Sequence, residues 1–271
     1  MYSRSKASAS PYLIWMVLFT VLPLALVVYF AFTDQAGNPT LSNITALGGY
    51  AMVFVLSLAL AAIATALCLV IAYPVSYLLS RLRAGQQGIL LMLVMLPMWM
   101  NFLLRTYAWM SLLERNGLIN RFLGLFGIGP FEMINTNGAI VLGMVYNFLP
   151  YMILPLYNAM LKIDKNVIEA AEDLGAGTLY KFSRVVLPLS KPGIRTGLIM
   201  VFVPSVSTFI ISKMLGGGDT WLIGDLIEAQ FLGNTYNYNL GSAMSLVLMV
   251  VVLLIMSVMG GFDSEDMEGV I

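Results

Sequence analysis

Glu169, Glu172 and Asp173 place three carboxylates within five residues of a chain that carries few charges anywhere. They open the stretch EAAEDLGAGTLYKFSRVVLPLSKPGI, residues 169–194, which lies between two long apolar runs. Carboxylates grouped this way offer charge-assisted hydrogen bonds to basic groups on a partner. Glu169 is followed by Ala170 and Ala171, whose small side chains let another surface approach closely. Gly175 comes next, and Val185, Leu187 and Pro188 close the pattern. The competing reading is an amphipathic segment lying on lipid. Three acids would face an anionic lipid surface unfavourably, so docking on a soluble partner is preferred.

A second set of residues could hold an organic cation. Trp99, Asn101, Tyr107, Tyr146 and Asn147 bring aromatic and amide groups into the apolar runs. Ring faces attract ammonium groups, and amide oxygens accept from them. Asp225 and Glu228, with Asp219, sit in a polar stretch whose only basic residue is Lys213, a balance that would attract a cation. Each has a plainer alternative. Trp99 and Trp109 could anchor span ends at the interface. Tyr146 and Asn147 could bond helix to helix. Arg105 would repel a cation if it lined the same path; snorkelling or pairing with a carbonyl is its other role.

Covalent and metal chemistry have little support. The chain has no histidine and one cysteine, Cys68, inside an apolar run. A zinc or haem site is therefore not expected, and Cys68 reads as a small packing residue. Gly216-Gly217-Gly218 has no lysine–serine or lysine–threonine pair after it and reads as a flexible loop, not a phosphate cradle. Asn43-Ile44-Thr45 matches a glycosylation acceptor by chance.

The elements that position these residues follow from composition. Of 271 residues, 59% are hydrophobic and 10% charged, and the mean hydropathy is +0.87. Soluble domains carry about 25% charged residues. The chain is therefore predicted to be an all-α integral membrane protein. Six runs can each cross a core of roughly 30 Å: Tyr12–Phe32, Met52–Leu79, Ile89–Leu113, Ala139–Met160, Gly193–Ile211 and Leu240–Phe262. Residues 1–11 read as an N-terminal segment, 12–262 as the membrane domain and 263–271 as an acidic tail. The first run is too long for a signal-peptide core and is predicted to be a retained span. The net charge of zero excludes a nucleic-acid footprint.

Lysine and arginine set the orientation. With a cytoplasmic N-terminus, ten of them face inward (Arg4, Lys6, Arg81, Arg83, Lys162, Lys165, Lys181, Arg184, Lys191 and Arg195) against Arg115, Arg121 and Lys213 outside. Both termini and the 169–194 island are thus predicted to be cytoplasmic. Within the island, Asp164 is predicted to cap a helix starting at Lys165. Val167, Ala170, Ala171 and Leu174 would form its apolar edge. Gly175 suits the left-handed stop. A second helix is predicted from Thr178, ended by Leu187-Pro188.

The spacing of Glu169-Ala170-Ala171, Gly175, Val185, Leu187 and Pro188 resembles the EAA loop of ABC-importer permeases. Further matches resemble the spermidine/putrescine (PotB-class) permeases. They are Leu96-Pro97 with Trp99 and Asn101, Arg105 and Tyr107, and Leu149-Pro150-Tyr151 with Leu154-Pro155-Leu156-Tyr157. Met214-Leu215-Gly216-Gly217, Leu222-Ile223-Gly224 and Gln230-Phe231 add to them. The resemblance implies a six-span type I permease with a coupling helix between spans four and five, in a loop over about residues 161–192. It implies alternating access for spermidine or putrescine. It also implies a homologous second permease, two ATPase subunits holding ATP and Mg, an extracytoplasmic binding protein, and a bacterial cytoplasmic membrane. Glu169, Ala170, Ala171, Gly175, Leu187 and Pro188 carry the ATPase-coupling role over. No cofactor is expected on this chain, and no enzymatic role.

The loop alone fits an importer of iron, thiamine or sulfate equally well. An ion-driven carrier would want acids inside the spans, and none is evident. A membrane-embedded enzyme would want polar groups at membrane depth, which are scarce.

Overall fold

Apolar runs set the helices of this protein, and prolines, glycines and asparagines set where they stop. A computed structural model describes residues 11–218, 220–233 and 236–260. The N-terminal segment with Arg4 and Lys6, Asp219 and the acidic tail lie outside the described residues.

In chain order, α1 covers Pro11–Ala31 and α2 covers Ser42–Arg81. Then come α3 (Ala84–Trp99), α4 (Phe102–Leu113) and the short α5 (Leu118–Gly124). α6 runs over Asn137–Leu161 and α7 over Lys165–Asp173. α8 begins at Thr178–Lys181 and continues as Phe182–Leu189. α9 (Lys191–Val206), α10 (Ile210–Leu215), α11 (Ile223–Leu232) and α12 (Tyr238–Gly260) complete the order.

Four helices are long and apolar enough to cross a membrane by themselves: α1, α2, α6 and α12. Among the described residues two bent helix pairs pass the same test together, and counting each pair as one span gives six. The stretch predicted as one span over Ile89–Leu113 is broken: α3 and the α4–α5 segment meet at 89°. Met100 and Asn101 are extended there, with ψ of 149° and 129°. Asn101 Oδ1 accepts from the amides of Leu103 at 2.9 Å and Leu104 at 3.4 Å. An asparagine that caps a new helix ends the old one, and no hydropathy window detects that. The fifth span also differs. It stops at Val206, and α10 starts at Ile210, so Met214 and Leu215 are helical and not loop.

Among the described residues the chain divides into two compact units: 55–225 with 254–260, and 11–54 with 226–253. In the larger unit α6 is central, with Ile140, Met144, Met152, Leu156 and Met160 fully buried. α9 lies against it through Gly193 and Gly197. A Cβ on Gly193 would stand 2.5 Å from Ala159 Cβ and 2.7 Å from the Pro155 carbonyl oxygen. Lipid tails are as apolar as leucine, so membrane helices associate through close packing, which glycines four apart allow. Gly143 does the same for α10: a Cβ there would meet Leu215 Cδ1 at 2.5 Å and Ile211 Cγ2 at 2.9 Å.

In the smaller unit two asparagines cap the end of α1. Asn239 Nδ2 donates to the carbonyls of Thr33 at 2.7 Å and Phe30 at 3.1 Å. Asn43 Nδ2 donates to those of Thr33 at 2.8 Å and Ala31 at 3.2 Å. The last carbonyls of a helix have no partner within it, and these amides supply one.

Candidate functional site

The 165–190 island is built from local rules. Asp164 Oδ1 accepts from Asn166 N at 2.9 Å and starts α7, as its position predicts. At the other end Gly175 has φ +78°. Its N–H reaches Glu172 O at 2.8 Å, and Ala176 N–H reaches Ala171 O at 2.9 Å. That pair of bonds is the Schellman stop. Lys181 Nζ pairs with Glu172, joining α8 to α7.

The apolar edge of α7 does not turn inward. Val167 is 46% exposed and Leu174 is 89% exposed, while Glu169 and Ala170 are exposed and Ala171 half-buried. A helix carrying both apolar side chains and carboxylates on open faces is poorly covered by its own chain.

α8 differs from its expected form. Leu187-Pro188 does not end it; the helix continues to Leu189 and bends by 60° at Ser190 into α9. Phe182–Val186 forms a π-turn, with Leu187 N–H on Phe182 O. The wider turn relieves the clash that the Pro188 ring would make one turn back. α1 repeats this device, with a π-turn at Val17–Val21 just before Pro23.

The bend is tied to α2. Tyr73 OH and the fully buried Ser190 Oγ are 2.8 Å apart. The Phe182 ring stands edge-on to Tyr73 with centroids 5.2 Å apart. Nothing in the loop motif points to Tyr73; the signal, a lone tyrosine in an apolar run, is too common to read. Removing one buried hydrogen bond costs about 1 kcal/mol. Tyr73→Phe should therefore lower the thermal midpoint of the detergent-solubilised protein slightly. Ser190→Ala should cost more than Tyr73→Phe, because Ser190 Oγ also donates to Leu187 O at 3.1 Å. In the Ser190→Ala background Tyr73→Phe should add little; a full further loss would show that the Tyr73 hydroxyl acts separately.

The residues proposed for a cation path scatter into different roles. Trp99, 72% exposed, ends α3 at the break. Asn101 is the α4 cap, and Tyr107 is exposed on α4. Tyr146 does join a pair: its ring meets Trp109 edge-on, centroids 5.3 Å apart. Next to it, Asn147 is 2% exposed and its Nδ2 donates to Gly143 O at 2.8 Å. Asn147 Oδ1 has no partner among the described residues. Arg105 is 7% exposed, with Nε and Nη1 unpartnered among the described residues and its guanidinium 5.8 Å from the Phe102 ring centre.

Asp225 is not the loop acid that its position suggests. It is 3% exposed in the first turn of α11. Its carboxylate accepts from Ser212 Oγ at 2.9 Å and from Leu222 N at 2.8 Å. Those bonds give Asp225 a structural role, fastening α10 to the start of α11. Glu228 is half-buried on the same helix. The described residues hold no cluster of metal-ligating side chains.

Apolar spans, two bent pairs among them, and a capped, exposed helix carried between α6 and α9 fit a membrane permease. The fold is similar to that of a chain in the solved structure of a bacterial ABC transporter involved in the import of the acidic polysaccharide alginate. It aligns with a TM-score of 0.80 at 16% identity, over 94% of this chain and 93% of that one. The chain belongs to the family of binding-protein-dependent transport system inner membrane components, whose model matches residues 6–264. It is thus the inner-membrane, multi-pass component of such a system. It is 39% identical over 254 residues to the spermidine/putrescine transport system permease protein PotB of Haemophilus influenzae, covering 90% of this chain and 88% of that protein. The protein of the same name from Escherichia coli is 38% identical, with 90% and 92% covered. An inner membrane ABC transporter permease protein of Escherichia coli, YdcU, is 30% identical, with 83% and 77% covered.

Proposed function

We propose that this chain is one of two permease subunits of an ATP-driven importer for polyamines, spermidine or putrescine. The observation that carries the cargo is likeness along almost the whole chain to permeases named for those solutes, at 38–39% identity. A binding protein delivers the polyamine at the outer mouth. A homologous permease completes the path, and two ATPase subunits bind ATP and Mg. This chain holds no cofactor and performs no covalent step.

The exposed α7 is the part that suits an ATPase contact. Its first-turn cap and Schellman stop make it a rigid lever rather than a flexible loop. The 60° bend at Ser190 passes its motion into α9, and α9 passes it to α6 through the glycine contact. Packed helices switch between discrete arrangements, so a small displacement at α7 opens or closes the path. With both termini cytoplasmic, as the lysine and arginine distribution supports, α7 faces the ATPase.

Uptake of labelled putrescine and spermidine by proteoliposomes holding the complete transporter tests this. ATP-dependent, saturable uptake that ignores an uncoupler is expected. Absence of polyamine uptake in the presence of ATP and the binding protein sinks the cargo; uptake driven only by an ion gradient sinks the mechanism. For the loop, Glu169→Lys should cut co-purification of the ATPase by about ten-fold, since a charge-assisted contact becomes repulsive, while Glu172 keeps its pairing with Lys181 inside the loop. Unchanged ATPase recovery would place the contact elsewhere.

A further inference from the structure

A cleft of the smaller unit lies beside the asparagine-capped end of α1, away from the 165–190 island. It has a volume of about 380 Å³ and sits where the end of α1 meets the start of α12. Tyr29, Phe30, Tyr236 and Tyr238 line it with rings, and Asp34 supplies a carboxylate. Its described lining includes no lysine or arginine. The volume is within the range of small-molecule sites, roughly 300–1,000 Å³.

The walls are held in place. Asn239, buried at 8%, bonds the carbonyls of Phe30 and Thr33 and so fixes one wall to the other. The rings of Tyr236 and Tyr238 lie 5.3 Å apart, and Tyr29 makes an edge contact with Phe30 at 5.5 Å. Tyr29 OH lies 3.8 Å from where a Cβ on Gly37 would be, so the 34–38 turn passes beside its hydroxyl. Asp34 Oδ1 accepts from Ala36 N at 2.9 Å and Asn38 N at 2.8 Å. Oδ2 accepts the longer Asn38 Nδ2 contact at 3.3 Å. The Asn38 backbone bond, then the Asn38 and Ala36 bonds that add to it, outweigh desolvation and hold this carboxyl below its ordinary range, so it is ionised at neutral pH.

The geometry points to a binding site for a primary alkylammonium at this cleft, with Asp34 pairing the charge and the tyrosines facing the cation and its methylenes. Resting on the proposed polyamine function and orientation, it lies on the outer side and takes one end of the cargo as it leaves the binding protein. The aromatic–acid chemistry suits that ligand class: rings lie against a methylene chain, and a single carboxylate meets one terminal charge.

Putrescine uptake by the complete transporter in proteoliposomes tests it. Asp34→Asn keeps the Oδ1 acceptor that orders the turn and gives up the charge together with the long Asn38 Nδ2 contact. It should raise the KM for putrescine about ten-fold with little change in maximal rate. Tyr236→Leu with Tyr238→Leu should raise KM several-fold, while Tyr236→Phe with Tyr238→Phe, which keeps the ring faces, should stay near wild type. Wild-type KM in both Asp34→Asn and the leucine pair overturns the site and leaves the polyamine function standing. No putrescine uptake by the wild type ends both readings. A raised KM matched by an equal loss of affinity for the polyamine-free binding protein assigns the cleft to a protein side chain and overturns cargo binding.

Discussion

Gly193→Leu should abolish uptake and remove nearly all folded permease from detergent extracts. A Cβ at this position would stand 2.5 Å from Ala159 Cβ and 2.7 Å from the Pro155 carbonyl oxygen, with Leu156 Cα at 3.3 Å. None of those atoms is the tip of a flexible side chain. α9 must therefore move away from α6, the most buried candidate span. Overpacking costs about 1–3 kcal/mol in well-packed cores, and more where backbone is the obstacle. No hydrophobic drive exists within lipid to restore the contact. Gly197→Ala is the control. Its Cβ would press on Met152 Sδ at 2.6 Å, a flexible side-chain atom that can swing aside. Size-exclusion profiles of the extracted transporter should show loss for Gly193→Leu and near-normal recovery for Gly197→Ala. A monodisperse, transporting Gly193→Leu protein would mean that the α6–α9 contact is dispensable.

Gly175→Val should insert normally and fail in transport. Nothing stands within 4 Å of a Cβ added there, so the cost is conformational and not steric contact with neighbours. At φ +78° a non-glycine residue costs roughly 1–2 kcal/mol, and a β-branched one is the worst case. The Schellman bonds through Gly175 and Ala176 would break, and α7 would lose its fixed exit. A lever with a frayed end transmits little motion. Uptake and polyamine-stimulated ATP hydrolysis should both fall by about ten-fold or more, the factor that 1.4 kcal/mol represents. Gly175→Asn, which tolerates the left-handed region, should retain much more activity. Normal coupling in the valine variant would remove the lever role of α7.

Much of the island was legible because its rules are local. Asp164, Gly175 and the apolar–acid alternation of α7 each act within a few residues. The sequence went wrong where one local rule overrode another, or where a partner lay farther along the chain. Pro188 reads as a helix end, yet a π-turn absorbs it and α8 runs on to Leu189. Asp225 reads as an exposed loop acid, yet Ser212 and the Leu222 amide enclose it. The third span reads as continuous because hydropathy is blind to a cap, and Asn101 is a cap.

Composition by itself determined that this chain belongs in a membrane. The motif spacing at Glu169–Pro188 pointed to the permease class, since short-range pattern and charge are written directly in residue order. Tertiary structure alone decided which helices touch. Gly193 and Gly197 matter because α6 happens to lie opposite them. Tyr73 matters because Ser190 reaches it across 117 positions of sequence. Asp34 and Tyr236 share a cleft because Asn239 fastens the start of α12 to the end of α1. Contacts between residues this far apart depend on packing in three dimensions, and no period or spacing along one chain encodes them.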